Sequence, residues 1–453
     1  MKKVLILGAG RVAHPMVKYL LDNQINVTLA DMDVERARLL LDGHANGIAL
    51  GFDVSDSESL HALVQQHHLV VSLLPYQFHE QVAEACIRFK RNMVTTSYVK
   101  PEMQLMNDRA IEAGIIILNE LGLDPGIDHM SAMQIIDHVH AQGGLIESFH
   151  SICGALPAPE AAENPFGYKF SWSPKGVIMA SNNNARYLDK GKLIELHTKD
   201  LFKNPIQVSF DGVGELEVYP NRDSISYVDV YGIPEVKTMY RGTFRYNGWC
   251  EAMDALKALG LTSPEQMDFT GMSYEQMLAK QLGLTKWNDI KAEVARFLGL
   301  ELNAIAIQAM EWLGLFRAVA MGRLQDSCFH ILSDLMLEKM ELQSNERDMV
   351  VMQHLFKAVY PDGRSEVIRS RLLEFGILAS DTAIARTVSL PAAIGVKLIL
   401  EEKINLKGIY RPVLPEIYNP ILEELKKLGI MMVEEFGLPE SELISYWLVV
   451  SDE

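Results

Sequence analysis

Residues 3–22 read KVLILGAGRVAHPMVKYLLD, and this stretch decides the fold. An apolar run, Lys3–Leu7, stops on GAGRVA, and helix-period residues follow. Gly8, Gly10 and Ala13 fill the three small positions of G-x-G-x-x-A. The first lets the chain turn tightly and the second lets backbone approach a pyrophosphate. The third lets helix and strand pack closely. The helix N-terminus adds N–H donors and a partial positive charge. Gly8, Ala9, Gly10, Arg11 and Val12 are therefore the expected dinucleotide-binding turn.

The same unit repeats outward from this turn. NVTLA, GIALGFDV, HLVVSLL, NMVTTS and GIIILN alternate with amphipathic stretches such as VERARLLLD, SESLHALVQQ and HEQVAEACIRF, as far as residue 118. Continuous apolar strands alternating with helices predict an α/β fold, a Rossmann-type doubly wound parallel sheet covered on both faces. Ligands of such sheets lie at the C-terminal strand ends. Asp31, at the tip of the second strand, is expected to accept hydrogen bonds from the adenosine ribose hydroxyls. Asp53 and Val54 past the third strand, Leu74 past the fourth and Ser97 past the fifth complete the cofactor expectation. For Asp53 a helix N-cap region is an equal alternative.

After ELGLDPGIDHM the pattern changes. Residues 145–249 carry strand-like pieces (LIESFHSIC, GELEVYP, TFRYNGW), and residues 250–343 are almost wholly helix-period. Residues 348–376 read as a hairpin turning at PDG, 361–363. Two more helices are expected near 382–401 and 416–428, around a segment containing RPVLP. The expected division is a dinucleotide-binding Rossmann domain over 1–123, with the segment from about 390 to 453 a candidate to pack back on it. A mixed α/β substrate domain covers 124–249 and 344–389, and a helical insertion covers 250–343.

Composition narrows the classes. The chain has 453 residues, 48% hydrophobic and 22% charged, ordinary globular usage and enough for two or three domains. A formal charge of −17 argues against nucleic acid or an anionic membrane as partner, since both require an excess of basic residues. Cys86, Cys153, Cys250 and Cys328 are far apart and show no metal-ligand spacing, which predicts a reducing compartment and no structural zinc. His138 and His140, two apart, do not share a helix face, so no metal site is read there. Val4–Leu7 is too short for a signal-peptide core, and no stretch reaches the roughly 20 apolar residues of a membrane helix. The expectation is a soluble cytoplasmic protein with a small-molecule substrate. The apolar faces of the helical segment leave a homodimer open.

Longer blocks carry a resemblance. YQFHE, VTTSYVKP, NELGLDPGIDHM, CGALPAPEAAENPFGYKFSWSPKGV, YPNRDS, RGTFRYNGW and RPVLPEIYNPILEELKKLGI resemble, in order and spacing, the saccharopine reductases, the glutamate-forming saccharopine dehydrogenases. The resemblance covers essentially the whole chain. It implies an NAD(P)-dependent oxidoreductase of lysine metabolism acting on a CH–NH donor. Saccharopine would be converted reversibly to 2-aminoadipate semialdehyde and glutamate. This substrate has three carboxylates and a secondary amine, so its site needs cations or amide donors and a group that exchanges a proton with nitrogen.

The matching positions imply Arg222, Arg241, Gly242 and Thr243 for the carboxylates, the arginines being suited to bidentate binding from loops beside strand-like segments. They imply Ser97 and Tyr98 at the end of the fifth strand, and Asp124, Tyr98 and Cys153 at the reacting centre. Bland alternatives stand beside each: solvated arginines, a packed tyrosine, a capping serine, a turn aspartate, and a small buried cysteine ending a strand. Asp128 is read as the cap of a helix beginning near His129. FSWS, 170–173, is either core or within reach of nicotinamide or substrate. Orientation of hydride donor and imine would supply most of the acceleration.

The resemblance also bears on the cofactor. Members using the phosphorylated dinucleotide are expected to have an arginine just after the second strand. Met32 stands there, between Asp31 and Asp33. A 2′-phosphate would meet two carboxylates, so NAD is expected to be preferred over NADP. Arg36 and Arg38 lie farther along the helix, and Asp33 reads more simply as its cap. The rivals are a related imine reductase acting on a polyamine or another amino acid, and a catalytically inactive dinucleotide-binding regulator.

Overall fold

The computed structural model describes residues 2–172 and 174–444. Buried apolar runs form the first sheet: β1 (Lys3–Leu7), β2 (Asn26–Asp31), β3 (Gly47–Gly51), β4 (Leu69–Ser72), β5 (Asn92–Thr95) and β6 (Ile116–Leu118). They pair in parallel in the order β6-β5-β4-β1-β2-β3. The crossovers hold α1 (Ala13–Asp22), α2 (Val34–Leu41), α3 (Ser57–Gln66) and α4 (His79–Phe89). Two short helices, α5 (Pro101–Gln104) and α6 (Asn107–Ala113), fill the β5–β6 crossover, which sequence periodicity left unassigned. Aspartates fix where helices start. Asp33 accepts from the Arg36 amide at the head of α2, and Asp56 accepts from the Glu58 and Ser59 amides at the head of α3. A longer helix, α7 (Ile127–Ala141), follows β6.

The second unit is built on β7 (Leu145–Pro157), β8 (Ala185–Asp189), β9 (Lys192–Leu196), β10 (Ile206–Phe210), β11 (Gly214–Pro220) and β12 (Thr238–Tyr246). A small ribbon, β13 (Gln266–Asp268) and β14 (Gln325–Ser327), precedes the long hairpin of β15 (Asp348–Val359) and β16 (Ser365–Phe375), which turns at PDG. β10-β11-β12-β7-β15-β16 form a mixed sheet in which β7 and β12 are parallel. The helices Trp249–Ala258, Tyr274–Gln281, Ile290–Leu298, Ile305–Leu313 and Cys328–Met340 fall where the helix-period residues lie. Trp249, Met277, Val294, Met310 and Met336 share one core with Val218 and Phe244 of the sheet. The apolar faces of these helices are thus used within their own unit.

The chain then returns. β17 (Gly408–Tyr410) pairs in parallel with β6 as a seventh strand of the first sheet, and β18 (Val433–Leu438) joins the edge of the second beside β16. The first unit comprises residues 2–143 and 380–433; the second comprises 144–379 and 434–444. The first unit therefore runs past residue 123, because α7 packs on the helix Pro415–Lys427, whose Tyr418 hydroxyl donates to Asp137 at 2.5 Å. Contrary to the sequence expectation, one helix, Ala383–Leu400, has the length and apolarity to cross a membrane. Its residues are mostly buried inside the protein, packed on α1.

Candidate active site

The glycine turn has the conformation its residues require. Gly8 has φ +107°, and a Cβ there would lie 3.1 Å from the Leu73 carbonyl carbon and oxygen, so no other residue fits. No side chain caps α1, and a Cβ on Gly10 would meet nothing within 4 Å. An anion can therefore approach the backbone and the first-turn amides. Ala9 behaves differently. It is fully buried, and its N–H donates to Asp31 Oδ2 at 2.6 Å. Asp31 Oδ1 accepts from the Asp33 N–H at 2.9 Å. The acid at the tip of β2 thus ties the glycine turn to the head of α2, with both oxygens on the chain's own amides. Met32 beside it is 78% exposed. Arg38 is paired with Glu35, while Arg36 is exposed.

Two further cofactor candidates are tied up locally. Asp53 is exposed, and its carboxyl is held below the usual range by the backbone and side-chain hydrogen bonds of Ser55, so it closes a turn; the cap of α3 is Asp56. Val54 is buried in the core, with its carbonyl accepting from Gln81 at 3.0 Å. Leu74 is half-buried against the same core.

At the end of β5 the structure brings two predicted residues together. The Tyr98 hydroxyl donates to Asp124 Oδ1 at 2.8 Å. Ser97 Oγ lies 2.8 Å from His79 Nε2, and His79 Nδ1 lies 2.9 Å from Ser72 Oγ, so the ring links β4 to Ser97. Burial, assisted by the nearby Lys100 charge, pushes His79 down to about 4, which keeps the imidazole neutral near pH 7. Tyr76, His79, Tyr98, Lys100 and Asn119 line a small pocket here, with the Lys100 ammonium over the Tyr76 ring and 3.2 Å from Glu80.

His79 and Glu120 were not singled out from the sequence, although both lie in the blocks YQFHE and NELGL. A histidine on the buried side of a helix start was the available signal for the first. Glu120 had none, because the His129 and Arg411 contacts that bury it come together only in the fold. It is 2% exposed and has φ +56°. A non-glycine residue in this conformation costs on the order of 1–3 kcal/mol and persists only where its surroundings over-determine it. Burial works to raise its carboxyl, but His129, Arg411 and the Val99 N–H outweigh burial and leave it below the usual range. Asp128 does not play the capping role expected of it. The helix starts at Ile127, and the buried Asp128 carboxylate accepts from the Gly126 N–H at 2.6 Å.

The second unit holds the other set. Arg241 is not in a loop: it lies within β12, 3% exposed, with its guanidinium 4.2 Å over the Tyr227 ring. Strand pairing puts Arg241 beside Ser151 and Thr243 beside Cys153 on β7. Cys153 is therefore mid-strand rather than at a strand end, and it is 8% exposed. On the other side Thr243 pairs with Tyr219 of β11. Gly242 is required by packing, because a Cβ would fall 2.6 Å from Val218 Cγ1. Arg222 is exposed in the loop after β11, with φ +48°, and the neighbouring Asn221 N–H donates to the Arg241 carbonyl at 2.8 Å. Phe170 is core, and Trp172 is partly buried with its indole N–H on the Tyr168 hydroxyl; Ser173 lies outside the described residues. A separate hollow, bordered by Lys203, Glu217, Glu251 and Asp254, contains none of the predicted site residues.

Comparison with known proteins bears on the whole chain. A family model described as the saccharopine dehydrogenase NADP binding domain matches residues 4–118, and one described as the saccharopine dehydrogenase C-terminal domain matches 122–430. The saccharopine dehydrogenase [NADP(+), L-glutamate-forming] of Saccharomyces cerevisiae is 37% identical over 446 residues, covering 96% of this chain and 99% of that protein. Its namesake from Schizosaccharomyces pombe is 35% identical over 96% of this chain and 99% of its own length. The mitochondrial alpha-aminoadipic semialdehyde synthase of Bos taurus is 39% identical over 95% of this chain, which matches 47% of that longer protein. The apo structure of the Saccharomyces cerevisiae L-Glu-forming enzyme superposes with a TM-score of 0.89 at 36% identity, covering 96% of this chain and 100% of that one. These matches confirm the Rossmann-type sheet with a second mixed unit. They overturn the expected preference for NAD, since the relatives are named for NADP(+) and the matching domain for NADP binding. The expectation took Asp31 as a free acceptor for the ribose, and both of its oxygens already accept from the Ala9 and Asp33 amides.

Proposed function

The chain belongs to the saccharopine dehydrogenase family, and from that premise we propose that it is the NADP-dependent, glutamate-forming enzyme of lysine metabolism. Saccharopine, NADP⁺ and water would give 2-aminoadipate semialdehyde, glutamate, NADPH and a proton. The C–H bond beside the secondary amine breaks, its hydride leaves, and water cleaves the resulting imine. NADP supplies the hydride acceptor when bound. The turn around Gly8 and Gly10 fits such a dinucleotide, because it offers open backbone and an uncapped helix start.

The observation that carries the chemistry is the hydrogen bond from the Tyr98 hydroxyl to Asp124. A carboxylate and a phenol in contact can hold and exchange a proton with the substrate nitrogen as it changes between amine and imine. Both stand beyond strand ends of the parallel sheet, where such folds bind ligands. Arg222, Arg241 and Thr243 supply guanidinium and hydroxyl groups suited to the three carboxylates. Four buried free thiols are consistent with a cytoplasmic, reducing location.

The test follows absorbance at the reduced-nicotinamide band with saccharopine and each dinucleotide, and assays glutamate as product. Saccharopine-dependent reduction of NADP⁺ with one glutamate per hydride is the expected result. Turnover confined to polyamine-derived or other amino-acid imines would replace the substrate, and tight dinucleotide binding without turnover would replace the reaction.

A further inference from the structure

We propose that Glu120 is a positioning residue for this reaction: it holds Tyr98 in place against Asp124 from below, with Arg411 holding Glu120 in turn. The proposal rests on the reading of Tyr98 and Asp124 given above. Glu120 grips the segment carrying Tyr98 on both sides. Its backbone N–H donates to the Ser97 carbonyl at 3.1 Å, and its Oε1 accepts from the Val99 N–H at 2.8 Å. These are the two peptide groups that flank the Tyr98 α-carbon. One residue therefore fixes the position and tilt of that backbone, and with it where the phenol points.

The left-handed conformation at Glu120 is what allows the double grip. The chain then runs on through Leu121, whose N–H donates to the Thr95 carbonyl, into the turn that carries Asp124. The hydrogen bond from Tyr98 to Asp124 is thus the closing edge of a loop of contacts that starts and ends at Glu120.

The carboxylate is held just as firmly. Arg411 Nε donates to Oε1 at 2.9 Å, and His129 Nε2 lies 2.9 Å from Oε2. Arg411 comes from the returning segment directly after β17, which is itself paired with β6. A buried carboxylate is retained only where cations and donors surround it, and here the cation, Arg411, comes from a distant part of the chain. Replacing it with an amide keeps the shape but turns donors toward Arg411 or His129, so the grip loosens without a large cavity.

The experiment compares Glu120→Gln, Arg411→Met and Tyr98→Phe, with the double variants of each of the first two with Tyr98→Phe, in the full chain. Displacement of a reacting group by about an ångström costs up to about a hundredfold. Glu120→Gln is therefore expected to lower kcat for saccharopine oxidation by about ten- to a hundredfold, with the Kd for NADPH unchanged. Arg411→Met, at a partly exposed position, should act in the same direction and less. In the Tyr98→Phe background either change should cost no more than about twofold, because residues acting as one unit are not additive.

Two results would overturn the clamp: wild-type kcat in both folded single variants, or a loss that multiplies in full with that of Tyr98→Phe, as a merely structural role would produce. Should Glu120→Gln not fold, Arg411→Met decides by the same readings. If Tyr98→Phe and Asp124→Asn both turn over at the wild-type rate, it is the reading of the pair that fails, and the clamp falls with it.

Discussion

The two units present their polar residues in opposite ways. In the first, the candidates stand at or beyond strand ends: Asp31 at the tip of β2, Ser97 and Tyr98 after β5, Asp124 after β6. In the second, Arg241 and Thr243 sit within a central strand and Cys153 within its neighbour. A parallel sheet with helices on both faces has no free face, so only its ends can meet a ligand. A mixed sheet can set functional side chains along a face, at alternate positions of one strand. The first arrangement holds residues by loops and demands clamps such as Glu120; the second holds them by strand register.

The largest effect that would break this contrast concerns Asp124. Asp124→Asn is expected to lower kcat by about 10²–10⁴-fold, the usual loss of a group exchanging a proton with substrate. Its melting temperature should stay close to the parent, since the side chain is in a turn and not in the sheet. Steady-state kinetics with a parallel unfolding curve check both. A full rate across pH would remove Asp124 from proton exchange.

Next in size is an acid effect on the first unit. A histidine in an unfolded chain titrates near 6.5, whereas burial holds His79 at about 4. Above pH 6.5 both states are neutral and the stability is fully present. As pH falls from 6.5 towards 4, the unfolded chain binds a proton that the folded ring refuses. Stability should then fall by about 1.4 kcal/mol per pH unit, about 3 kcal/mol in all. His150, on β7 of the second unit, is also held at about 4 by burial. His79→Gln should therefore flatten the acid limb for the first unit alone. Hydrogen exchange of β4 and β7 amides between pH 4 and 7 reads the two units separately, and equal slopes for variant and parent would refute the assignment.

What was legible in the sequence divides along the same line. Strand–turn–helix spacing revealed the parallel sheet, and Ser97, Tyr98 and Asp124 lie after its strands as the sequence placed them. The helices of residues 250–343 were legible from their period. Arg241 was placed in a loop, because its strand alternates a buried charge with aromatics (TMYRGTFRY) and no periodicity rule expects an arginine inside a core. The cofactor preference was not legible at Asp31 for a different reason. An acid at that position reads the same from sequence whether it meets a ribose or an amide of its own chain, and the 2.6 Å contact with Ala9 shows only in the fold. Glu120 is invisible because its partners, His129 and Arg411, are nine and 291 residues away and only the fold brings both to it.

The arginines test whether burial in the strand matters. Arg241→Ala should raise KM for saccharopine roughly tenfold or more, since a charge-assisted pair is worth about 1.5–3 kcal/mol. Arg222→Ala, at an exposed loop, should cost less because water screens its charge. Dinucleotide affinity should be unchanged in both. Equal effects in the two variants would mean that burial of the guanidinium within the strand is immaterial.

The smallest effect decides what Asp31 is for. If the carboxylate ties the glycine turn to the head of α2, removing it loosens the turn that receives any dinucleotide. Asp31→Ala should then weaken NADPH and NADH by the same factor, about fivefold, the worth of one ordinary hydrogen bond of about 1 kcal/mol. If the carboxylate instead accepted from the ribose, NADH would lose affinity and NADPH would lose little or gain, because a like charge near the 2′-phosphate would be gone. Fluorescence titration of the parent and the variant with both reduced dinucleotides measures the two factors side by side. Equal factors place the acid in the turn; a loss confined to NADH would return it to the ribose.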